Sequence, residues 1–366
     1  MKTELNVLFA RNKLKAESFL DELLGKKPLF ICTIATTETA KIQGISAAGK
    51  YPEFTDYTPP ADAELLLLGK CKCINGVPVT PDGIPTPALI TMSALRLADI
   101  PVLVASGGLK VKPQIPFLDF GGTPGRDIRT GNAVDNVSEV LERAMIAGEQ
   151  LAKTSDYLVI GESIPGGTTT ALGVLSAMGF DAEGKVSSSM PENPHDLKCG
   201  AVKTGLAAAG ERLGGLASNP VRAVGCVGDP MMPAFAGLVI GAGSEIPVLM
   251  AGGTQMTAVL ALVKALNADV LCNVAVGTTR WVVDDASSDI RGIVDQIADV
   301  PVLAADLDFG SSRFEGLRAY EKGIVKEGVG AGGAAIAAMA ATNGAVTKEM
   351  LLGEIERNYA ALMGVK

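Results

Sequence analysis

The chain has 366 residues, 48% of them hydrophobic and 20% charged, and a formal net charge of -8. That composition excludes a disordered chain and supplies a sizeable core, in two domains or in one large domain with an accessory piece. The acidic balance, with one Trp and five Tyr, excludes the basic, aromatic footprint of a nucleic-acid binder.

From the N-terminus, residues 3–25 carry Leu8, Leu14, Phe19, Leu20, Leu23 and Leu24 at spacings that predict a helix. From about residue 63 short apolar runs alternate with helical stretches. The runs are AELLLL (63–68), IPVLVAS (100–106), DYLVIG (156–161), VRAVGC (221–226), IPVLMA (246–251), ADVLCNV (268–274) and VPVLAAD (300–306). Continuous apolar runs of this length predict strands buried on both faces of a parallel sheet. Helices are predicted near 137–151, 168–179, 230–242, 254–266 and 288–299. Residues 347–363 close the chain with another amphipathic helix, through Leu351, Ile355, Tyr359 and Leu362. This alternation predicts a doubly wound, mostly parallel, Rossmann-like α/β sheet. The expected division is a core over 55–315 and a small helical subdomain built from 1–54 and 316–366.

His195 is the single histidine, so a zinc site needing several imidazoles cannot be built, and it reads as an exposed loop residue. The six cysteines form no C-x-x-C pair, and no metal site is expected. No segment reaches the ~20 apolar residues of a membrane span. A cytoplasmic protein is expected.

Ligands of open α/β sheets bind beyond the carboxyl ends of the strands, so the turns there matter most. After DYLVIG comes Gly161-Glu162-Ser163-Ile164-Pro165-Gly166-Gly167-Thr168. Gly166 and Gly167 would let the backbone approach a phosphate closely, and Thr168 would donate from a helix N-terminus. The same residues would equally serve as an ordinary helix cap. Two further glycine turns, at Gly228 and at Gly252-Gly253, follow predicted strands. Lys198, near a helix start, is either a phosphate ligand or a solvated lysine. In Glu327-Gly328-Val329-Gly330-Ala331-Gly332-Gly333 the glycines spell G-x-G-x-x-G, but neither a solid strand before them nor a second strand after them is legible. Glu327, a carboxylate above a glycine loop, is free to contact a ligand.

Taken in order, these segments resemble the nicotinate-nucleotide–dimethylbenzimidazole phosphoribosyltransferase family, especially its archaeal-type branch. The resemblance runs over about residues 60–345 and rests on GESIPGGTTTALG, VGDPMMPAFAGLVIGAGSEIPVLMAGG and KEGVGAGGAAIA. It implies Glu327 as catalytic base, with Glu162 assisting. Lys198, Gly166, Gly167, Thr168, Gly228, Gly252, Gly253, Gly328 and Gly330 are implied on the substrate, with Thr86 in a base pocket formed by Thr86 to Thr91. It also implies nicotinate mononucleotide and a nitrogenous base as substrates, lower-ligand assembly of cobalamin-type cofactors as the context, no cofactor, and a homodimer. Departures from the bacterial pattern are GKCKCINGV, which lacks a histidine found there, and Ala251 in place of an acid. The competing classes are an NAD-dependent oxidoreductase using GVGAGG and a non-catalytic nucleotide-binding protein.

Overall fold

The computed structural model describes residues 5–48, 51–80, 82–190 and 192–364; the outermost positions of both expected terminal segments lie outside these. Eight strands form one sheet: β1 (Val7–Arg11), β2 (Pro28–Ala35), β3 (Val102–Gly108), β4 (Leu118–Asp119), β5 (Tyr157–Ser163), β6 (Val248–Ala251), β7 (Val274–Thr279) and β8 (Val302–Ala305). Their order is β1-β8-β7-β6-β5-β2-β3-β4. All neighbours are parallel except β1, which runs antiparallel to β8 along the edge.

The helices are α1 (Lys13–Leu23), α2 (Thr58–Leu68), α3 (Ala88–Leu97), α4 (Val137–Leu151), α5 (Gly167–Met178), α6 (His195–Ala208) and α7 (Pro220–Val227). They continue with α8 (Met231–Gly243), α9 (Gln255–Leu266), the single turn α10 (Arg280–Val283), α11 (Ile290–Ile297), the single turn α12 (Glu315–Arg318), α13 (Ala331–Ala341) and α14 (Lys348–Met363). One core cluster, with α4 to α9 and α11, covers one face of the sheet; a second, with α1 to α3, α13 and α14, covers the other. The sheet is therefore doubly wound, as the alternation predicts. Helices from the two ends of the chain share that second face, where α13 lies directly over β5 to β8.

Two runs expected as strands are helices. AELLLL belongs to α2, which begins on Pro59 and Pro60 in its first turn and ends on Gly69 at φ 69. Proline at the start and a left-handed glycine at the end are helix punctuation. VRAVGC is α7, capped by Asn219, whose side chain accepts the N–H of Arg222. A short apolar run does not separate a buried helix from a buried strand; these flanking residues do. ADVLCNV is mostly a 3-10 helix, Ala268–Asn273, and the strand starts only at Val274. Residues 7–11, expected as helix, instead extend the sheet edge as β1.

The largest omission is β2. All eight residues of PLFICTIA are buried, and they form the strand between β5 and β3. From β2 the chain winds outward to β3 and β4; from β5 it winds the opposite way to β6, β7 and β8. The reversal falls between β2 and β5, the switch point at which an open sheet leaves a crevice.

Candidate active site

A cleft with a cavity volume of about 160 Å³ opens at that switch point. Its wall draws on the β5–α5 turn, α2, the approach to α3, the serine segment 187–189 and residues 325–329. Of the residues singled out in the sequence, Glu162, Gly166, Gly167, Thr168, Thr86, Gly253, Glu327 and Gly328 line it.

Glu327 stands at the N-terminus of α13. Its Oε1 accepts the N–H of Gly328 at 3.1 Å, and both oxygens accept the N–H of Gly332, at 3.3 and 3.2 Å. The helix end that would cradle a foreign anion is thus engaged by the chain's own carboxylate. Burial nevertheless raises its pKa from 4.5 to about 7, against the pull of these amides. Such a group exchanges a proton near neutrality, as a general base should.

Glu162 is the penultimate residue of β5 and is 4% exposed. Its Oε2 accepts the N–H of Ile164 at 3.1 Å. Burial pushes its pKa well above 4.5, opposed by a hydrogen bond from Gln255 and reinforced by the charges of Glu327 and Asp229. Glu162 and Glu327 are thus both shifted toward their protonated forms, by burial foremost. Asp229, at the start of α8, accepts from Thr170 Oγ1 at 2.5 Å and from the N–H of Met231 at 3.0 Å, and it does not line the cleft.

Lys198 is neither in the cleft wall nor solvated. It is fully buried and donates to the Ser187 carbonyl at 2.6 Å and to Asn193 Oδ1 at 3.1 Å. Burial, with the nearby charge of Lys326, lowers its pKa to about 7. It ties down the serine segment from behind. The lysine in the wall is Lys326, beside Glu327, and sequence reasoning passed it over. Its Nζ pairs with Asp285 Oδ2 at 2.8 Å and donates to the Ser188 carbonyl at 3.4 Å. Burial works upward on Asp285, but hydrogen bonds from Lys326 and Ser287 hold it below its ordinary range.

Several other expected residues serve packing. Gly228 ends α7, and Gly252 donates its N–H to the Gly277 carbonyl at 3.0 Å; neither reaches the cleft. Gly330 lies behind the wall, where a Cβ would sit 2.9 Å from the Cα of Gly161. Thr86 and Pro87 line the cleft, whereas Thr91 turns inward and donates to the Val329 carbonyl at 2.9 Å. His195, expected in an exposed loop, begins α6 and contacts the Ser287 carbonyl through Nε2 at 2.9 Å.

Asp62, Ser163, Ser187 and Gln255 also line the cleft and were not singled out as ligands in the sequence. Asp62 carries no distinguishing signal in the sequence, since Glu64 stands two residues on in the same run. Ser187 to Ser189 form a hydroxyl run between two helices, which is visible but common.

No family model matches the chain. The UPF0284 protein of Methanothermobacter thermautotrophicus is 48% identical over 326 residues, covering 88% of this chain and 90% of that one. The UPF0284 protein of Sulfurisphaera tokodaii is 48% identical over 336 residues, covering 92% and 94%. Among solved structures, CobT from Thermus thermophilus superposes with a TM-score of 0.59 at 18% identity, over 96% of this chain and 94% of that one. A nicotinate-nucleotide-dimethylbenzimidazole phosphoribosyltransferase structure from the same organism gives 0.56 at 16%, over 97% and 94%. At such identities the likeness is one of fold. Among the described residues, no helix is long and apolar enough to cross a membrane.

Proposed function

The chain belongs to the UPF0284 protein family, and we propose that it is a phosphoribosyltransferase. It moves the 5-phosphoribosyl group from nicotinate mononucleotide to a nitrogenous base, in lower-ligand assembly of cobalamin-type cofactors. The observation that carries this reading is Glu327, a carboxylate fixed by the amides of α13 in a switch-point cleft, with its pKa raised to about 7. The fold shared with the two Thermus thermophilus structures supports it.

The donor phosphate binds at the N-terminus of α5, where Gly166, Gly167 and Thr168 face the cleft. Lys326, with an N–H beyond its two protein partners, supplies a positive charge. A nitrogen lone pair of the acceptor attacks the anomeric carbon. The bond from that carbon to the nicotinate ring nitrogen breaks, and its electron pair returns to that ring. The acceptor's N–H proton passes to Glu327, a transfer that contributes ~10²–10⁴-fold in such catalysis. Glu162, in the same cleft wall, stabilises the positive charge that develops on the sugar.

The geometry speaks against the dinucleotide-binding reading of GVGAGG. The residues before the loop form turns and a 3-10 helix (Ala319–Lys322) rather than a strand, and the Gly332 amide is already engaged by Glu327. Incubation with nicotinate mononucleotide and a panel of bases, followed by assay of free nicotinate, tests the proposal. Base-dependent release supports it; no release with any base refutes it.

A further inference from the structure

Asp62 is a carboxylate in the cleft wall that the transfer step leaves unused. It lies on the second turn of α2, is 1% exposed, and is anchored by two hydroxyls that also line the cleft. Thr86 Oγ1 donates to its Oδ1 at 2.8 Å, and Ser163 Oγ donates to its Oδ2 at 2.7 Å. Thr86 Oγ1 also accepts the N–H of Ala88 at 3.2 Å, which leaves its own proton free for Asp62. Asp62 is thus built into the wall as an acceptor. No lysine or arginine forms an ion pair with it among the described residues. An ionised carboxylate offers about four lone-pair positions, and the hydroxyls occupy two. A buried carboxylate that faces a cleft and has no cation paired to it calls for a donor from whatever fills that cleft.

The neighbouring surface narrows the identity of that occupant. Val79, Ile84, Pro85 and Pro87 make an apolar wall beside Asp62 and Thr86, suited to the face of a flat heterocycle. The carboxylate of nicotinate would be repelled there. A plain aromatic ring would present only C–H edges to the charge and leave it desolvated without a partner.

We propose that Asp62 is a specificity-determining residue that selects acceptor bases carrying a ring-borne hydrogen-bond donor, an amine or a hydroxyl, besides the N–H whose proton goes to Glu327. The inference rests on the transferase reading for the word acceptor, but the recognition it describes is a binding property. The parent should bind adenine more tightly than purine, and 5-amino- or 5-hydroxybenzimidazole more tightly than benzimidazole. A hydrogen bond to a charged group corresponds to a margin of roughly 10- to 100-fold. The amine and hydroxyl arms of the panel separate the two donor types.

Asp62→Asn is the informative variant. Its amide oxygen can still accept from Thr86, and its NH2 can face Ser163, whose hydroxyl rotates to accept. Calorimetric titration of each matched pair, with nicotinate mononucleotide titrated separately, reads binding without requiring turnover. The expected result is a margin that collapses toward unity in Asp62→Asn while affinity for nicotinate mononucleotide stays within about threefold. A parent that binds the bare rings as tightly as their donor-bearing partners overturns the proposal, whatever the variant does. So does a variant that loses both members of a pair equally, or loses the mononucleotide instead, since Asp62 would then hold the sugar or the fold. Absence of nicotinate release with every base would sink the transferase reading alone, and the binding margins would still decide the role of Asp62.

Discussion

Glu327 and Gly332 are joined through one amide: the N–H of Gly332 is shared by both oxygens of the Glu327 carboxylate, at 3.3 and 3.2 Å. The turn between them is the G-x-G-x-x-G stretch, so the loop acts as a carboxylate holder packed against the sheet. A Cβ on Gly332 would run into the backbone of Thr278 and Thr279 at the end of β7. Gly332→Ala should therefore destabilise the protein by about 1–3 kcal/mol, the usual cost of overpacking. Gly353→Ala, on α14 with nothing within 4 Å of its Cβ position, should stabilise by about 0.5–1 kcal/mol. Denaturant titration of both variants checks the contrast, and saturable NAD or NADP binding at submillimolar concentration would contradict the holder role.

Lys326 and Lys198 should separate cleanly. Lys326→Met removes the charge in the cleft wall and should cut affinity for nicotinate mononucleotide by roughly 10- to 150-fold, the worth of a charge-assisted hydrogen bond. The dephosphorylated nucleoside should lose much less. Lys198→Met removes the tie to Ser187 and Asn193 from behind the wall. It should lower stability first, with discrimination between nucleotide and nucleoside largely kept. If the Lys198 variant alone loses that discrimination, the assignment to Lys326 is wrong.

Asp62 carries a pH signature in stability. Burial raises its pKa from 3.8 to about 7, against hydrogen bonds from Ser163 and Thr86. Between roughly pH 4 and 7 the folded protein keeps a proton that the unfolded chain has released, so stability from this group falls as pH rises through that window. Asp62→Asn cannot ionise and escapes the loss. Its stability relative to the parent should climb by about 1–3 kcal/mol from pH 4 to pH 8, measured by urea unfolding. A constant difference across that range would mean that Asp62 titrates normally.

Transfer by a carboxylate base with a pKa of about 7 requires its ionised form. The kcat/KM for transfer should rise roughly tenfold per pH unit below that value and level off above it. In Glu327→Gln the rising limb should vanish from the residual rate. A limb that persists unchanged would belong to another group, with Glu162 or Asp62 the first to examine.

The sheet was legible where its physics is simplest. Strands β6 and β8 lie within continuous apolar runs, and β3 and β5 outrun theirs by two residues, because both faces of the sheet are covered. The same signature misled at α2 and α7, whose helical character resides in Pro59, Pro60 and Asn219 at their starts. β2 was overlooked although all eight of its residues are buried. Glu162 and Glu327 could be singled out because an acid beside glycines at a chain turn is unusual. Lys326 and Asp62 could not, since their meaning depends on Asp285, Ser163 and Thr86, which come from elsewhere in the chain. Lys198 shows the converse: its place near a helix start suggested a ligand, and tertiary packing made it a buried strut.

The most direct test is turnover in Glu327→Gln, set beside its binding of donor. Nicotinate release from nicotinate mononucleotide in the presence of an accepted base should fall at least ~10²-fold, while calorimetry shows the mononucleotide bound within about threefold of the parent. Near-parental release by a variant that binds the donor normally would contradict the account.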